Sequence, residues 1–239
     1  MAILTMNALS VALSGSFSAT VILPDRLPEG QTACPALYFI HTMGGSGADI
    51  REIRGLQSLS NELGLFIICP SLMHSFGLDL PWGGKYGDFV SRELPGICRH
   101  VFPLDEKRQF IGGAGGGAYG ALWHGAYRRD VFQKCITFNG RLDVASLCEA
   151  VEKGVKVPNL RKPNLTALFG EDLNAVRNSS FDLFRPDAPG PRALYLGCEE
   201  DFTGFDGLAA YGKNHGTDIH VAPTREALWA AGLRWLCDK

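Results

Sequence analysis

Short apolar runs recur along this chain, and segments with helical character separate them. The runs are ALYFIH (36–41), LFIICP (65–70), RQFIGG (108–113), CITFNG (135–140) and ALYLGC (193–198), with TDIHVA (217–222) as a further candidate. A strand that is apolar along its whole length is buried on both faces, which indicates a parallel sheet covered by helices on each side. The pattern therefore predicts an α/β fold with a doubly wound, mostly parallel sheet.

The connecting segments predict helices at 50–63, 89–101, 118–126 and 225–236, and a surface connection at 149–163. The N-terminal stretch predicts an antiparallel β-hairpin that turns near Ser14, because the residues from Phe17 to Leu23 alternate as in a strand that faces a core. A cleaved signal peptide is the alternative, but no Lys or Arg precedes Arg26, so the positive region of such peptides is missing. We expect a single domain over residues 1–239.

Composition excludes several classes of function. The net charge of −2 offers no basic surface for nucleic acid, and no apolar run approaches the ~20 residues of a membrane-spanning helix. The 7 cysteines are widely spaced and form no CxxC pair, so the sequence predicts neither a disulfide framework nor a zinc site. We expect a cytoplasmic protein without a metal or cofactor, and the sequence leaves a homo-oligomer open.

A glycine-rich stretch, IGGAGGGAYGALWHG (111–125), links a predicted strand to a predicted helix. It lacks the Gly-Lys-Ser/Thr ending of a Walker phosphate loop. Gly113, Gly115 and Ala118 fit the looser dinucleotide-binding pattern, but the strand is not the first of the chain and no acid is well placed for the ribose. The nucleophile elbow GxSxG is a sharp strand-to-helix turn. Here Gly113 and Gly117 supply its flanking glycines, and Gly115 stands where the serine belongs.

Several segments, taken in order, resemble the esterase D and tributyrin esterase group of α/β-hydrolases, which includes the S-formylglutathione hydrolases. These segments are ALYFIHTMGGSGAD, similar to a strand followed by HGMGG; DLPWGGKYGDFVSRELP; IGGAGGGAYGAL, similar to IAGLSMGGYGAL; LFGED; and GCEEDF. The resemblance extends from about Ala36 to Asp206. It implies an α/β-hydrolase fold with carboxylic ester hydrolysis as the family's activity, on a small acyl ester.

The resemblance also implies roles for individual residues. Gly115 occupies the position of the nucleophilic serine, and Asp201 matches the carboxylate of the catalytic triad, although a carboxylate after a strand can also cap the next turn. Met43 and Gly116 match the residues whose backbone N–H groups form the oxyanion hole. The serine mechanism needs the hydroxyl that Gly115 lacks.

The pocket residues implied by the resemblance are His41, Thr42, Trp82 and Tyr86, with Gly83 beside Trp82. We interpret His41 as a structural histidine that holds the oxyanion loop rather than as a general base. Thr42 replaces a glycine of the family loop, so a side chain enters a place where the backbone was bare. Trp82 and Tyr86 border the acyl pocket in the family, and simple packing is the alternative for both.

The triad histidine is a second departure. The family carries a GHDW-like motif between the last strand and the final helix, and here that junction is shorter and no histidine follows His220. His220 is a weak candidate because the alternation around it places it inside the strand. His74, in a loop after a strand, is another histidine that could reach the site.

Three hypotheses remain open. The first is an esterase-family protein that has lost the serine mechanism and acts by binding. The second is an active acyl hydrolase, either because Gly115 replaces a natural serine or because another group substitutes for it. The third is a nucleotide or anion binder that uses the glycine-rich helix N-terminus. The loss of a second triad element favours natural degeneration over a single engineered change.

Overall fold

The apolar runs form the centre of an 8-stranded sheet in the computed structural model, which describes residues 2–27, 29–157 and 160–238. The strand order is β1-β2-β4-β3-β5-β6-β7-β8, and all pairs from β4 to β8 are parallel. The strands are β1 (Ala2–Ser10), β2 (Gly15–Leu23), β3 (Cys34–Ile40), β4 (Phe66–Pro70), β5 (Leu104–Ala114), β6 (Lys134–Phe138), β7 (Leu194–Glu199) and β8 (Ile219–Ala222). The predicted doubly wound sheet is confirmed.

The predicted N-terminal hairpin is also confirmed. β1 and β2 pair antiparallel in unbroken register, and β2 then pairs antiparallel with β4. Phe17, Ala19 and Val21 point into the core, as their alternation predicted. The turn occupies residues 11–14, slightly earlier than expected.

Helices cover both faces of the sheet. They are α1 (Leu56–Leu63), α2 (Tyr86–Asp88), which continues through a π-helical segment (Phe89–Glu93) into α3 (Leu94–Val101), then α4 (Gly116–Tyr127), α5 (Val144–Glu152), α6 (Lys162–Phe169), α7 (Phe205–His215) and α8 (Arg225–Cys237). Single 3-10 turns occur at Gly47–Glu52 and Leu173–Val176. The predicted helices at 89–101, 118–126 and 225–236 are therefore confirmed, with small shifts at their ends.

Two predicted segments differ from the structure. The helix expected at 50–63 is divided into a 3-10 turn and α1, because Gly55 has a φ of 77° and interrupts the right-handed helix. The surface connection expected at 149–163 includes the end of α5 and the start of α6. Positions 158–159 of that stretch lie outside the described residues.

Side chains on the two faces of the sheet form separate cores. Alternate β3 residues divide between them: Tyr38 packs with Phe89 on one face, and Phe39 packs with Trp229 of α8 on the other, their rings 4.5 Å apart. All 7 cysteines are free thiols, and only Cys237 is not fully buried. Within the described residues, no helix is long and apolar enough to span a membrane.

Candidate functional site

The turn between β5 and α4 has the geometry of a nucleophile elbow. Gly115 caps α4 with φ 57° and ψ −122°, a conformation that side-chain-bearing residues rarely adopt. A Cβ on Gly113 would collide with the carbonyl of Gly117, and a Cβ on Gly117 would collide with the carbonyl of Ile40. The flanking glycines are therefore required by close backbone packing, as the GxSxG comparison predicts.

Thr42 fills the space beside Gly115. A Cβ built on Gly115 would overlap Thr42 Oγ1 and lie 3.2 Å from Thr42 Cβ. Carbon atoms that are not bonded normally lie about 3.5–4.0 Å apart. The volume that the first atoms of a nucleophilic side chain would occupy is thus taken by the threonine hydroxyl.

Two backbone N–H groups remain available next to this turn. Among the described residues, no acceptor lies within hydrogen-bond distance of the N–H of Met43 or of Gly116, the first residue of α4. Gly45 N donates to Thr42 O at 3.1 Å and closes the turn that presents Met43. The predicted oxyanion donors are therefore placed beside Gly115 with their hydrogen-bonding capacity unused.

His41 is engaged at both ring nitrogens. Its Nδ1 lies 2.8 Å from Thr42 O, and its Nε2 accepts the backbone N–H of Leu72 at 2.9 Å. Burial lowers the pKa of His41, which favours the neutral ring with Nδ1 as donor. These contacts agree with the interpretation of His41 as a structural histidine that joins the loops after β3 and β4.

Two pockets meet at Thr42, Gly115 and Asn139. The α8 pocket, named after the helix that lines it, has a volume of about 190 Å³, and the α5 pocket has a volume of about 250 Å³. The α8 pocket is lined by Phe39, His41, Thr42, Asp49, Ile50, Ile53, Cys69, Ala114, Gly115, Phe138, Asn139, Glu199, Arg225, Leu228 and Trp229. The α5 pocket is lined by Thr42, Met43, Phe76, Gly115, Gly116, Tyr119, Asn139, Arg141, Val144, Leu147, Val157, Leu160, Leu165 and Phe202.

The α8 pocket contains a polar pair that the sequence interpretation missed. Asn139 Nδ2 donates to Glu199 Oε1 at 2.6 Å, and Glu199 N donates to Asn139 Oδ1 at 2.8 Å. Asn139 directly follows β6 and Glu199 ends β7, so both lie at the carboxyl edge of the sheet. The rule that ligands bind at this edge could have identified them.

The structure does not bring the proposed triad partners to Gly115. Asp201 is exposed and lines neither pocket. His220 is an exposed residue within β8, paired with Gly197, and its ring stacks on Tyr195 with centroids 4.2 Å apart. Only Pro223 and Thr224 separate β8 from α8, which leaves no loop to carry a histidine toward the elbow.

Trp82 and Tyr86 also lie away from the pockets, in contrast to the family-based expectation. The Trp82 side chain is 86% exposed, whereas Tyr86 is buried among the core residues around Phe89. The structure instead brings Phe76 to the site. It lines the α5 pocket and packs so closely on α4 that a Cβ on Gly116 would overlap its ring.

Other side chains near Gly115 are poorly suited to nucleophilic attack. Cys69 lines the α8 pocket, but burial raises the pKa of its thiol far above the usual value, which disfavours the reactive thiolate. Thr42 Oγ1 forms no hydrogen bond with any described residue. Both nitrogens of His41 are already bonded, so this histidine is not available to either group as a general base.

Comparison with known proteins agrees with this fold. The sequence profile of the family described as "Putative esterase" matches residues 10–229. The acetyl esterase of Caldicellulosiruptor saccharolyticus is 27% identical over 238 aligned positions, which cover 92% of this chain and 89% of that protein. The S-formylglutathione hydrolase of Mus musculus is 28% identical over 136 positions, 47% of this chain and 48% of that protein.

Solved structures show the same architecture. Fluorophosphonate-binding serine hydrolase F of Staphylococcus aureus superposes with a TM-score of 0.80 at 19% identity, over 100% of this chain and 99% of that chain. The S-formylglutathione hydrolase of Staphylococcus aureus superposes with a TM-score of 0.76 at 21% identity, over 99% of each chain. Because the family profile covers most of the sequence, this chain belongs to that esterase family and has the α/β-hydrolase fold.

Proposed function

We propose that this esterase-family protein binds a small ligand in the α5 pocket and does not hydrolyse esters by the serine mechanism. The overlap between Thr42 Oγ1 and the Cβ position of Gly115 carries the proposal. Glycine removes the nucleophile, and threonine then occupies the space that the nucleophile would need. The two substitutions complement each other sterically, as expected when a site has adapted to the absence of the serine.

The remaining catalytic positions support the same conclusion. A triad requires a histidine that bonds the nucleophile and a carboxylate that orients the histidine. The two-residue connection between β8 and α8 leaves no loop for that histidine, and Asp201 is exposed. Loss of the nucleophile alone typically lowers turnover on the order of 10⁶-fold.

The site can still bind a ligand, although it lacks the groups that the serine mechanism needs. The α5 pocket has a volume of about 250 Å³, and it is lined by Met43 and Gly116, whose N–H groups bond to no acceptor among the described residues. These donors are a second candidate basis for function. The N–H donors favour a residual acyl hydrolysis, since the relatives are named as an acetyl esterase and an S-formylglutathione hydrolase. Its rate would be roughly 10³-fold above the uncatalysed rate.

Hydrolysis of p-nitrophenyl acetate and butyrate separates these functions. For the unmodified protein we expect a rate far below that of a serine esterase and equal to the rates of the Thr42→Ala and Asp201→Ala variants. Each variant tests one group that could replace part of the triad. Efficient turnover that either substitution abolishes would overturn the binding proposal.

A further inference from the structure

The charge of the α5 pocket limits what it can bind. Arg141 is the only charged residue among the described residues that line it, and no Asp or Glu does so. The Arg141 Nη2 donates to Thr203 Oγ1 at 3.1 Å, and no described carboxylate pairs with the guanidinium. An arginine is cationic at any physiological pH. The pocket therefore presents a positive charge that an anionic group can neutralise.

The rest of the pocket wall is mainly apolar. Phe76, Val144, Leu165 and Phe202 contribute hydrocarbon or aromatic surface, and the Tyr119 hydroxyl is already bonded to Phe181 O at 2.6 Å. Such a wall favours a ligand whose body has no hydrogen-bonding groups, since those groups would be buried without partners. The volume of about 250 Å³ suits a body of short to medium length.

Further donors lie at the Gly115 end of the same pocket. Met43 and Gly116, whose N–H groups bond to no acceptor among the described residues, line this end, and the α4 N-terminus adds partial positive charge. The backbone that leads to Arg141 runs beside this turn, because a Cβ on Gly140 would lie 3.8 Å from Gly115 O. Arg141 and the residues with unused donors thus line the same pocket.

The neighbouring α8 pocket has the opposite character for an anion. Asp49 and Glu199 both line it, together with Arg225. Two carboxylates beside one arginine disfavour a negatively charged ligand. We therefore expect an anion to bind in the α5 pocket rather than in the α8 pocket.

We propose that the α5 pocket binds a free monocarboxylate with an apolar body, such as a short or medium-chain fatty acid. Arg141 and the N–H groups of Met43 and Gly116 supply the positive end of the pocket for the carboxylate, and the apolar wall takes the chain. This inference rests on the proposed function, because it assumes that the pocket retains a ligand rather than passing acyl groups to a nucleophile.

Calorimetry with octanoate, 1-octanol and methyl octanoate tests this ligand class. The three probes share one apolar chain, and only octanoate carries a charge. We expect octanoate to bind at least about tenfold more tightly than the two neutral probes, because hydrogen bonds to charged groups are the stronger ones. Arg141→Met is expected to remove this preference, and Arg141→Lys to restore part of it.

Arg225→Met is the matched control, because Arg225 also has no acid partner among the described residues but lines the other pocket. It should leave octanoate affinity unchanged. Equal binding of octanoate and octanol, no octanoate binding, or an equal loss in the two arginine variants would overturn the inference. Turnover of p-nitrophenyl butyrate, measured in parallel, would overturn the proposed function alone, since octanoate would then still bind through Arg141.

Discussion

Thr42 Oγ1 lies where a Cβ atom on Gly115 would have to stand, so a side chain at position 115 and the observed conformation of Thr42 are incompatible. Gly115 keeps the strained elbow conformation, with φ 57°, although no nucleophile uses it. Under the proposed function, Gly115 and Thr42 are sterically complementary, because the threonine hydroxyl fills the space that a side chain at position 115 would need. A serine introduced at position 115 would therefore overlap Thr42 unless the loop after β3 were also altered.

Gly115→Ser alone is therefore expected to be destabilising by about 2–3 kcal/mol, from the unfavourable backbone conformation and the overlap with Thr42. Combining it with Thr42→Gly should recover part of this cost. A double-mutant cycle measured by urea unfolding should give a favourable coupling free energy of about 1–2 kcal/mol.

Gly154→Ser serves as a control for this cycle. Gly154 has a φ of 79°, but a Cβ there would meet no atom within 4 Å. The control isolates the conformational cost and should show no coupling to Thr42→Gly. Additive effects in the Gly115 cycle would contradict the steric account.

The stability of the fold should depend on pH through His124. This residue is fully buried, its Nε2 lies 2.7 Å from Gly77 O, and its Nδ1 has no partner. Burial lowers the pKa of His124 from 6.5 to about 4. Between these values the unfolded chain binds more protons than the folded chain, so the free energy of unfolding falls as pH decreases.

For His124 alone, the expected loss between pH 7.5 and pH 5 is about 2 kcal/mol, and His41, whose pKa is also lowered, adds to it in the same direction. Urea midpoints across this range provide the measurement. The His124→Gln variant keeps a donor near Gly77 O but does not titrate, so its pH profile should be flatter. An unchanged profile in this variant would refute the assignment.

The N-terminal hairpin should depend on Glu93. Its carboxylate accepts hydrogen bonds from Ser10 Oγ at 2.5 Å, Val11 N at 2.7 Å and Ala12 N at 3.1 Å. Burial raises the pKa of Glu93, but these bonds outweigh it and hold the pKa below its ordinary value. Glu93→Gln is expected to lower the free energy of unfolding by about 1–2 kcal/mol, because charge-assisted bonds to the turn are weakened.

Glu62→Gln is the comparison for that measurement. Glu62 pairs with Arg234 at 2.9 Å, and both side chains are 51% exposed. Exposed pairs of this kind contribute little, so the change should stay within about 0.5 kcal/mol. Equal effects of the two substitutions would show that the hairpin does not rely on Glu93.

The central fold could be predicted from the sequence because buried parallel strands such as β3 and β4 carry a continuous apolar signal. The divided helix near Gly55 could not, because glycine adopts negative and positive φ about equally readily and the residue type alone does not locate the interruption. The elbow was identifiable from the glycine spacing of Gly113 and Gly117. The family resemblance also predicted that Met43 and Gly116 lie beside Gly115.

Other parts of the site depend on three-dimensional contacts that no local pattern reveals. The close approach of Thr42 to Gly115 brings together two loops that are far apart in the chain. Phe76 lines the α5 pocket because its own loop packs onto α4, whereas Trp82 is exposed. Glu199 is the last residue of β7 and Asp201 lies two residues beyond it, so the sequence alone could not show which carboxylate lines a pocket.

Exposure to a fluorophosphonate, followed by intact-mass measurement, most directly tests the proposal that this protein lacks a serine mechanism. The reagent labels an activated nucleophile whether or not the natural ligand is known. We expect the unmodified protein to keep its original mass under conditions that fully label an active serine esterase. One adduct per chain, mapped to Thr42, Cys69 or a serine beside the pockets, would contradict the account.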